Sequence, residues 1–180
     1  GLALPFTFEI SSNLENTNQK QVNLSSPSLM LPDKSYYEDE GAKKRMMDPL
    51  EKAFKEALQK LGYSEKDSEK IVKEALEFDG ELAKYAQSNE ETSEIKNLHH
   101  PKTAEDINAY SDTFKFHDII NDYLGQESGD VNVPNPKYYE NFAKVVNDKN
   151  FGKLKSWMLV KQAASASSFL TDDYRLIFAE

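Results

Sequence analysis

Between Leu50 and Leu61 the apolar residues Leu50, Ala53, Phe54, Ala57, Leu58 and Leu61 recur at i, i+3, i+4, i+7, i+8 and i+11. This spacing draws a single apolar stripe down a helix. A helix with such a stripe must bury it against another element, so the chain is committed to helix packing. Gly62 follows at the position where helices commonly close in the left-handed conformation. Two starts remain open upstream. Asp48-Pro49-Leu50-Glu51 offers an Asp N-cap, Pro at the first helical position and Glu at N3. Alternatively the helix begins near Glu38 and bends at Pro49.

The same chemistry recurs downstream. Ser64-Glu65-Lys66-Asp67 reads as a capping box with Asp in place of Glu. The helix it opens places Ile71, Val72, Ala75, Leu76, Leu82, Ala83 and Ala86 on its inner face. Gly80 inside it costs about 1 kcal/mol relative to Ala, and permits either a close approach or a bend. The short connection makes these two helices antiparallel neighbours. From Ser88 to Lys102 the periodicity fades. Thr103-Ala104-Glu105-Asp106 starts a short helix through Tyr110, and Phe116 to Leu124 forms another, closed by Gly125. Asn135-Pro136 supplies an N-cap and Pro at N1, with Tyr138, Phe142, Val145 and Val146 at helical spacing. Asn150 is expected to cap a helix carrying Trp157-Met158-Leu159-Val160. Apolar residues on several of its faces mean burial between neighbours. The run Ala163-Ala164-Ser165-Ala166-Ser167-Ser168 suits close helix packing, and Thr171-Asp172-Asp173 caps a last helix.

Ahead of the helices, Phe6, Phe8 and Ile10 alternate, as do Val22 and Leu24, across a polar Asn-rich stretch. This predicts a β-hairpin over residues 5–25. An isolated hairpin is marginal in water, so it packs on the helices or joins a sheet completed elsewhere. Val131-Asn132-Val133 fits a further short strand. The fold class expected is mainly α: a multi-helix domain, helical over 38–180, with a small N-terminal β-hairpin. No composition shift divides residues 1–180, which read as a single region.

The 22 Lys and Arg against 31 Asp and Glu give a net charge of −9. The field of such a chain disfavours nonspecific binding to nucleic acid or anionic membrane. Lys43-Lys44-Arg45, the basic triplet, reads as a solvated helix face. The absence of cysteine rules out disulfides, thiolate sites and a cysteine nucleophile, and fits a reducing, cytoplasmic setting. No apolar run nears the ~20 residues that span a bilayer. The chain opens on Gly1 directly into a strand pattern, as a boundary inside a longer protein would.

Few groupings could carry chemistry. His99-His100 is the histidine pair and His117 the remaining histidine. Adjacent histidines diverge, whereas a zinc helix needs two at i and i+4. The acids Glu38, Asp39 and Glu40, Glu90 and Glu91, and Asp172 and Asp173 suit exposed faces and helix N-termini, where the dipole favours negative charge. There is no Gly-x-Ser-x-Gly elbow, Walker loop or Gly-x-Gly-x-x-Gly. The aromatic residues Tyr138, Tyr139, Phe142 and Trp157 lack the neighbouring basic residues of a base-stacking surface and read as core. The residues name no catalytic, metal-binding or cofactor-binding site.

Leu31-Pro32-Asp33-Lys34-Ser35-Tyr36-Tyr37 resembles the Leu-Pro-(Asp/Ser)-x-x-Tyr-Tyr signature of neprilysin-family zinc metallopeptidases, including the bacterial oligopeptidase O type. Three further blocks follow in the order and approximate spacing of that family. Ala75-Leu76-Glu77-Phe78-Asp79-Gly80-Glu81-Leu82-Ala83 is similar to its acidic-apolar helix. Pro101-Lys102-Thr103-Ala104-Glu105-Asp106-Ile107 is similar to its Pro-Met-Thr-x-x-Glu-Leu turn, with Lys102 in place of Met, and Phe116 falls near its Phe-Asp-Trp, without the Trp. Leu154-Lys155-Ser156-Trp157-Met158, followed by Leu170-Thr171-Asp172-Asp173-Tyr174, resembles its Leu-Lys-x-aromatic-Leu helix and Leu-Ser-x-x-Phe ending.

The resemblance implies a segment of the helical, non-catalytic lobe of a zinc metalloendopeptidase that hydrolyses short peptides. That lobe walls a central cavity and restricts substrate size. Its partners are the C-terminal zinc-binding catalytic lobe of the same chain and the peptide substrates of the parent. The family's His-Glu-x-x-His is absent here, so the segment alone is expected to be inactive, with zinc in the parent and no cofactor in this segment. Asn108-Ala109-Tyr110-Ser111 lacks the second aromatic of the family's substrate-anchoring Asn-Ala-(Phe/Tyr)-Tyr, and takes no role from it. The alternative is a free-standing helical interaction module without enzymatic activity.

Overall fold

A computed structural model describes residues 3–13, 15–16 and 18–166. The elements in chain order are β1 (Thr7–Ser12), β2 (Lys20–Ser25), α1 (Ser35–Glu38), α2 (Glu40–Lys60), α3 (Glu65–Ala83), α4 (Asn89–Thr92), a 3-10 turn (Ile95–Leu98), β3 (Pro101–Lys102), α5 (Ala104–Asn108), α6 (Phe116–Leu124), β4 (Val131–Asn132), α7 (Pro136–Glu140), α8 (Phe142–Val145), a 3-10 turn (Asp148–Asn150) and α9 (Phe151–Ala166). The fold is mainly α with a small sheet. The described residues form two compact units, one from 3–4, 28–84 and 145–166, the other from 5–27 and 85–144.

In the first unit α3 packs against both α2 and α9. Helix α2 begins at Asp39, whose carboxylate accepts from Ala42 N–H at 2.7 Å, and Pro49 lies inside it. The Asp48-Pro49 start is therefore not used. Met47 is buried one turn ahead of Leu50, so the apolar face continues upstream of the proline. Pro49 still forfeits the hydrogen bond its N–H would have made. At the other end Leu61 is 59% exposed, so the buried stripe stops at Leu58. The close is a Schellman turn: Tyr63 N–H reaches Leu58 O at 3.1 Å and Gly62 N–H reaches Gln59 O at 3.0 Å, with Gly62 at φ 103°.

Ser64 Oγ accepts from Asp67 N–H at 3.0 Å, as its capping box requires. The buried face of α3 is Ser68, Val72, Ala75, Phe78, Asp79, Leu82 and Ala83. Ile71 and Leu76 are only half-buried, and Phe78 and Asp79 take the central places. Gly80 needs neither a bend nor a close approach. The helix runs unbroken through it, and a Cβ there would meet nothing within 4 Å. Helix α9 buries Leu154, Ser156, Trp157, Val160, Ala163 and Ala164. Its cap is not Asn150: Asn147 accepts from Asn150 N–H at 2.9 Å and caps the 3-10 turn that leads into α9. The small-residue run buries Ala163 and Ala164 and exposes Ser165 and Ala166. Ser167, Ser168 and the expected last helix from Thr171 lie outside the described residues.

In the second unit the hairpin is present, and two short later strands complete its sheet in the order β1-β2-β4-β3. Residues 38–180 are thus not wholly helical, since β3 and β4 fall within them. β1 and β2 are antiparallel with Phe8 opposite Leu24 and Ile10 opposite Val22, while β2 and β4 are parallel. That single parallel bridge is pinned by side chains. Asn132 Nδ2 donates to Asn23 Oδ1 and to Leu98 O, each at 2.9 Å, and Asn132 Oδ1 accepts from His100 N–H at 2.7 Å.

Phe116 meets Phe6, Tyr139 and Phe142 edge to face, with centroid separations of 5.2 Å for Phe6–Phe116 and 5.1 Å for Phe116–Phe142. The hydroxyls of α7 reach the strand ends, Tyr138 to Pro5 O and Tyr139 to Ser25 O. Asn135 caps α7 with Pro136 at its first position. That helix ends at Glu140, so Tyr138 and Phe142 lie in successive short helices. Gly125, at φ 69°, closes α6. The helices α4 and α5 are capped by Ser88 and Thr103.

Candidate functional site

The second unit holds a polar cleft of about 510 Å³, lined by Ile10, Glu15, Lys20, His99, Glu127 and Ser128 among others, with His99 the histidine in its lining. The adjacent pair diverges, as the sequence requires. His99 Nε2 lies 3.1 Å from Glu15 Oε1, whereas His100 Nε2 bonds Asn97 O at 2.8 Å. His117 is buried in α6, with Ser128 Oγ 3.2 Å from Nε2 and Glu127 Oε1 3.8 Å from Nδ1.

A serine, a histidine and a glutamate beside a cleft have the composition of a nucleophilic triad, but the hydrogen bonds assign the wrong tautomer. Gly129 O sits 2.5 Å from Nε2, so that nitrogen carries the proton and donates it to the carbonyl. Nδ1 accepts from Asn121 Nδ2 at 3.2 Å, and Ser128 Oγ donates to Asn121 Oδ1 at 2.7 Å. A base for Ser128 needs a free lone pair on Nε2. The network instead fastens the 125–130 turn to α6.

Nor do these residues fit zinc. Among the described residues no group of three or more His, Asp or Glu could hold a metal ion. His100 Nε2 is spent on a backbone carbonyl, and the two ring nitrogens of His117 on Gly129 O and Asn121. The acids sit where the dipole argument puts them: Asp39 caps α2, and Glu90 and Glu91 occupy the first turn of α4. Asp172 and Asp173 lie outside the described residues. Lys44 and Arg45 are exposed on α2. Tyr138, Tyr139, Phe142 and Trp157 are core. Asn108 accepts from His117 N–H at 2.9 Å and Ser111 Oγ accepts from Phe114 N–H at 3.0 Å, both local turn contacts.

The polar centre that sequence reasoning missed is Asp79, fully buried in the first unit. Tyr37 donates its hydroxyl proton to Asp79 Oδ2 and accepts from Leu31 N–H at 3.0 Å. Met30 N–H reaches Asp79 Oδ1 at 3.1 Å, and Trp157 Nε1–H reaches the same oxygen at 3.2 Å. Asp33 closes the turn itself, accepting from Ser35 N–H at 3.2 Å. Lys161 lies over the Trp157 ring at 4.4 Å and is tied to Ser28 by its carbonyl and, at 3.1 Å, its hydroxyl. Burial pushes the Asp79 carboxyl above the ordinary carboxylate range, while the Tyr37 and Trp157 donors pull it down. Burial also lowers Lys161 to about 8, with Asp79 acting against that shift. Burial and the Asp79 charge raise Tyr37 far above the ordinary phenol value.

This cluster joins three of the sequence blocks: the Leu31–Tyr37 signature, the Ala75–Ala83 helix and the Leu154–Met158 helix. One signal pointed to it. Val72, Ala75, Asp79, Leu82 and Ala83 share one helical face, so an acid sits on an apolar stripe.

The full pattern has counterparts. Residues 1–179 match the profile described as peptidase family M13. The chain belongs to peptidase family M13, the neprilysin family, and corresponds to its N-terminal region. It is 31% identical over 175 residues to a neutral endopeptidase of Lactococcus lactis subsp. cremoris, and 31% identical over 173 residues to one of Lactobacillus helveticus. Those matches cover 97% and 96% of this chain. The chain spans 28% and 27% of the length of these relatives. Its fold is that of PepO from Lactobacillus rhamnosis, at TM-score 0.79 and 21% identity over 99% of this chain and 28% of that one. The zinc metalloprotease Zmp1 of Mycobacterium tuberculosis in its open state gives TM-score 0.75 at 15% identity, over 99% of this chain and 31% of that one.

Proposed function

We propose that this M13 segment is a non-catalytic part of the helical lobe of a zinc metalloendopeptidase acting on short peptides. The catalytic zinc lobe of the same polypeptide is its partner, and residues 1–180 act as a single region of that parent. The segment forms part of the wall of the central cavity and limits the size of peptide that enters. The observation that carries this reading is the match of the whole chain to the N-terminal region of M13 proteins several times its length. The absence of His-Glu-x-x-His from the sequence agrees with it. The buried Asp79 cluster suits a wall. It joins α1, α3 and α9 by directional bonds, which fix geometry where loose apolar packing would not.

The test is a ladder of quenched substrates offered to the parent enzyme, from short peptides up to a folded protein. Cleavage that falls away with length, while the unfolded and folded forms of the longest substrate are spared alike, supports the size-limiting wall. Equal cleavage at every length contradicts it.

A further inference from the structure

β1 is an edge strand, paired with β2 on one side and with no strand on the other among the described residues. Its register with β2 runs from Thr7 opposite Ser25 to Ser12 opposite Lys20 without a bulge. Edge strands that stay exposed are usually blunted by lysine, proline, a bulge or shortness. Thr7-Phe8-Glu9-Ile10-Ser11-Ser12 has none of these and carries a single charge, on Glu9.

The apolar face of the strand also runs out into solvent. Phe6 is packed in the aromatic core, Phe8 is half-buried against the Tyr123 ring at 5.0 Å, and Ile10 is 55% exposed. Tyr123, at the C-terminal end of α6, is 76% exposed beside it. Ile10, Val22 and Leu124 are among the apolar residues that line the cleft described above. An unpaired backbone edge and an apolar patch therefore coincide.

We propose that β1 is the seat of an extended segment from the part of the M13 polypeptide outside residues 1–180, which adds to the free edge as a strand and covers Ile10 and Tyr123. This rests on the reading that the chain is one part of a longer M13 peptidase. Two observations select this occupant. The chain spans only 28% of its curated relatives, so most of such a protein lies outside it. A second copy of this chain is disfavoured because each carries a net charge of −9. The arriving segment has apolar residues alternating with polar ones, since it must match the period of the pleat.

The test is residue-resolved amide hydrogen exchange of Thr7–Ser12 in the full-length parent, with peptide cleavage measured on the same preparation. In an antiparallel pair the N–H groups alternate between facing the partner and facing away. An added strand protects both sets, so the outward amides exchange at least about tenfold more slowly than an open edge allows. Ile10→Asp and, as a milder variant, Tyr123→Ser are expected to return the outward set alone to fast exchange. Alternating fast and slow amides in the wild-type parent overturn the proposal, even if the enzyme cleaves peptides. Protection that grows with protein concentration assigns the seat to a second copy and also overturns it. Full protection in a parent without chelator-sensitive cleavage supports the seat and counts instead against the peptidase reading.

Discussion

Trp157 Nε1–H donates to Asp79 Oδ1 at 3.2 Å, linking α9 to α3 across the core of the first unit. The same carboxylate accepts from Met30 N–H and from the Tyr37 hydroxyl. Asp79→Ala strands these donors in a fully buried site. The expected cost is about 3–5 kcal/mol, the range for removing one member of a buried charged network. Urea denaturation measures it, and a loss below about 1 kcal/mol would show that the cluster does not hold the unit together.

Tyr37→Phe keeps the ring and deletes only the hydroxyl shared by Leu31 N–H and Asp79. The expected loss is about 1–3 kcal/mol. In a double-mutant cycle with Asp79→Ala the effects are expected to fall short of additivity, because both changes break one bond. Simple additivity would mean that the two groups are not coupled.

Lys161 titrates near 8 in the folded chain against an ordinary 10.5. Between those values the unfolded state binds more protons than the folded one, so stability rises with pH through this window. The groups facing the amine are the Asp79 carboxylate, Ser28 and the Trp157 ring. The rise is clearest from pH 8 to about 9.5, below the range in which exposed tyrosines ionise. Lys161→Met should flatten that slope in unfolding free energies measured against pH. A slope unchanged by the substitution would locate its source elsewhere.

The ring of His117 is expected to carry its proton on Nε2, because Gly129 O accepts there and Asn121 Nδ2 donates to Nδ1. Imidazole nitrogen shifts from two-bond proton–nitrogen spectra report the tautomer directly. Ser128→Ala is expected to cost about 1 kcal/mol through the lost bond to Asn121, with no change in peptide cleavage by the parent. An Nδ1–H tautomer, or a cleavage rate lowered by Ser128→Ala, would restore the triad as a candidate.

The elements legible in the sequence were those governed by short-range chemistry. Ser64, Thr103, Gly62, Asn135-Pro136 and Gly125 each marked a helix end, because a cap or a left-handed residue acts within one turn. Pro49 was ambiguous for the opposite reason. Whether a helix tolerates an interior proline is decided by distant packing, here the burial of Met47. β3 has only Pro101 and Lys102 and becomes a strand through β4, so its own pattern carries no signal. The buried polar centre divides in the same way. The Leu31–Tyr37 signature was visible as a string, but its physical role depends on Asp79 and Trp157, which lie 42 and 120 positions beyond Tyr37. No local rule pairs residues at such separations.

The central claim is that these residues build an M13 peptidase without performing its chemistry. The most direct measurement is cleavage of a quenched short peptide, with zinc supplied, by residues 1–180 alone and by the full-length parent, each with and without a chelator. The account predicts chelator-sensitive cleavage by the parent and none by residues 1–180. Cleavage by residues 1–180 alone would contradict it and return attention to the cleft at His99 and Glu127. A parent inactive under all conditions would contradict it as well, in favour of a helical interaction module.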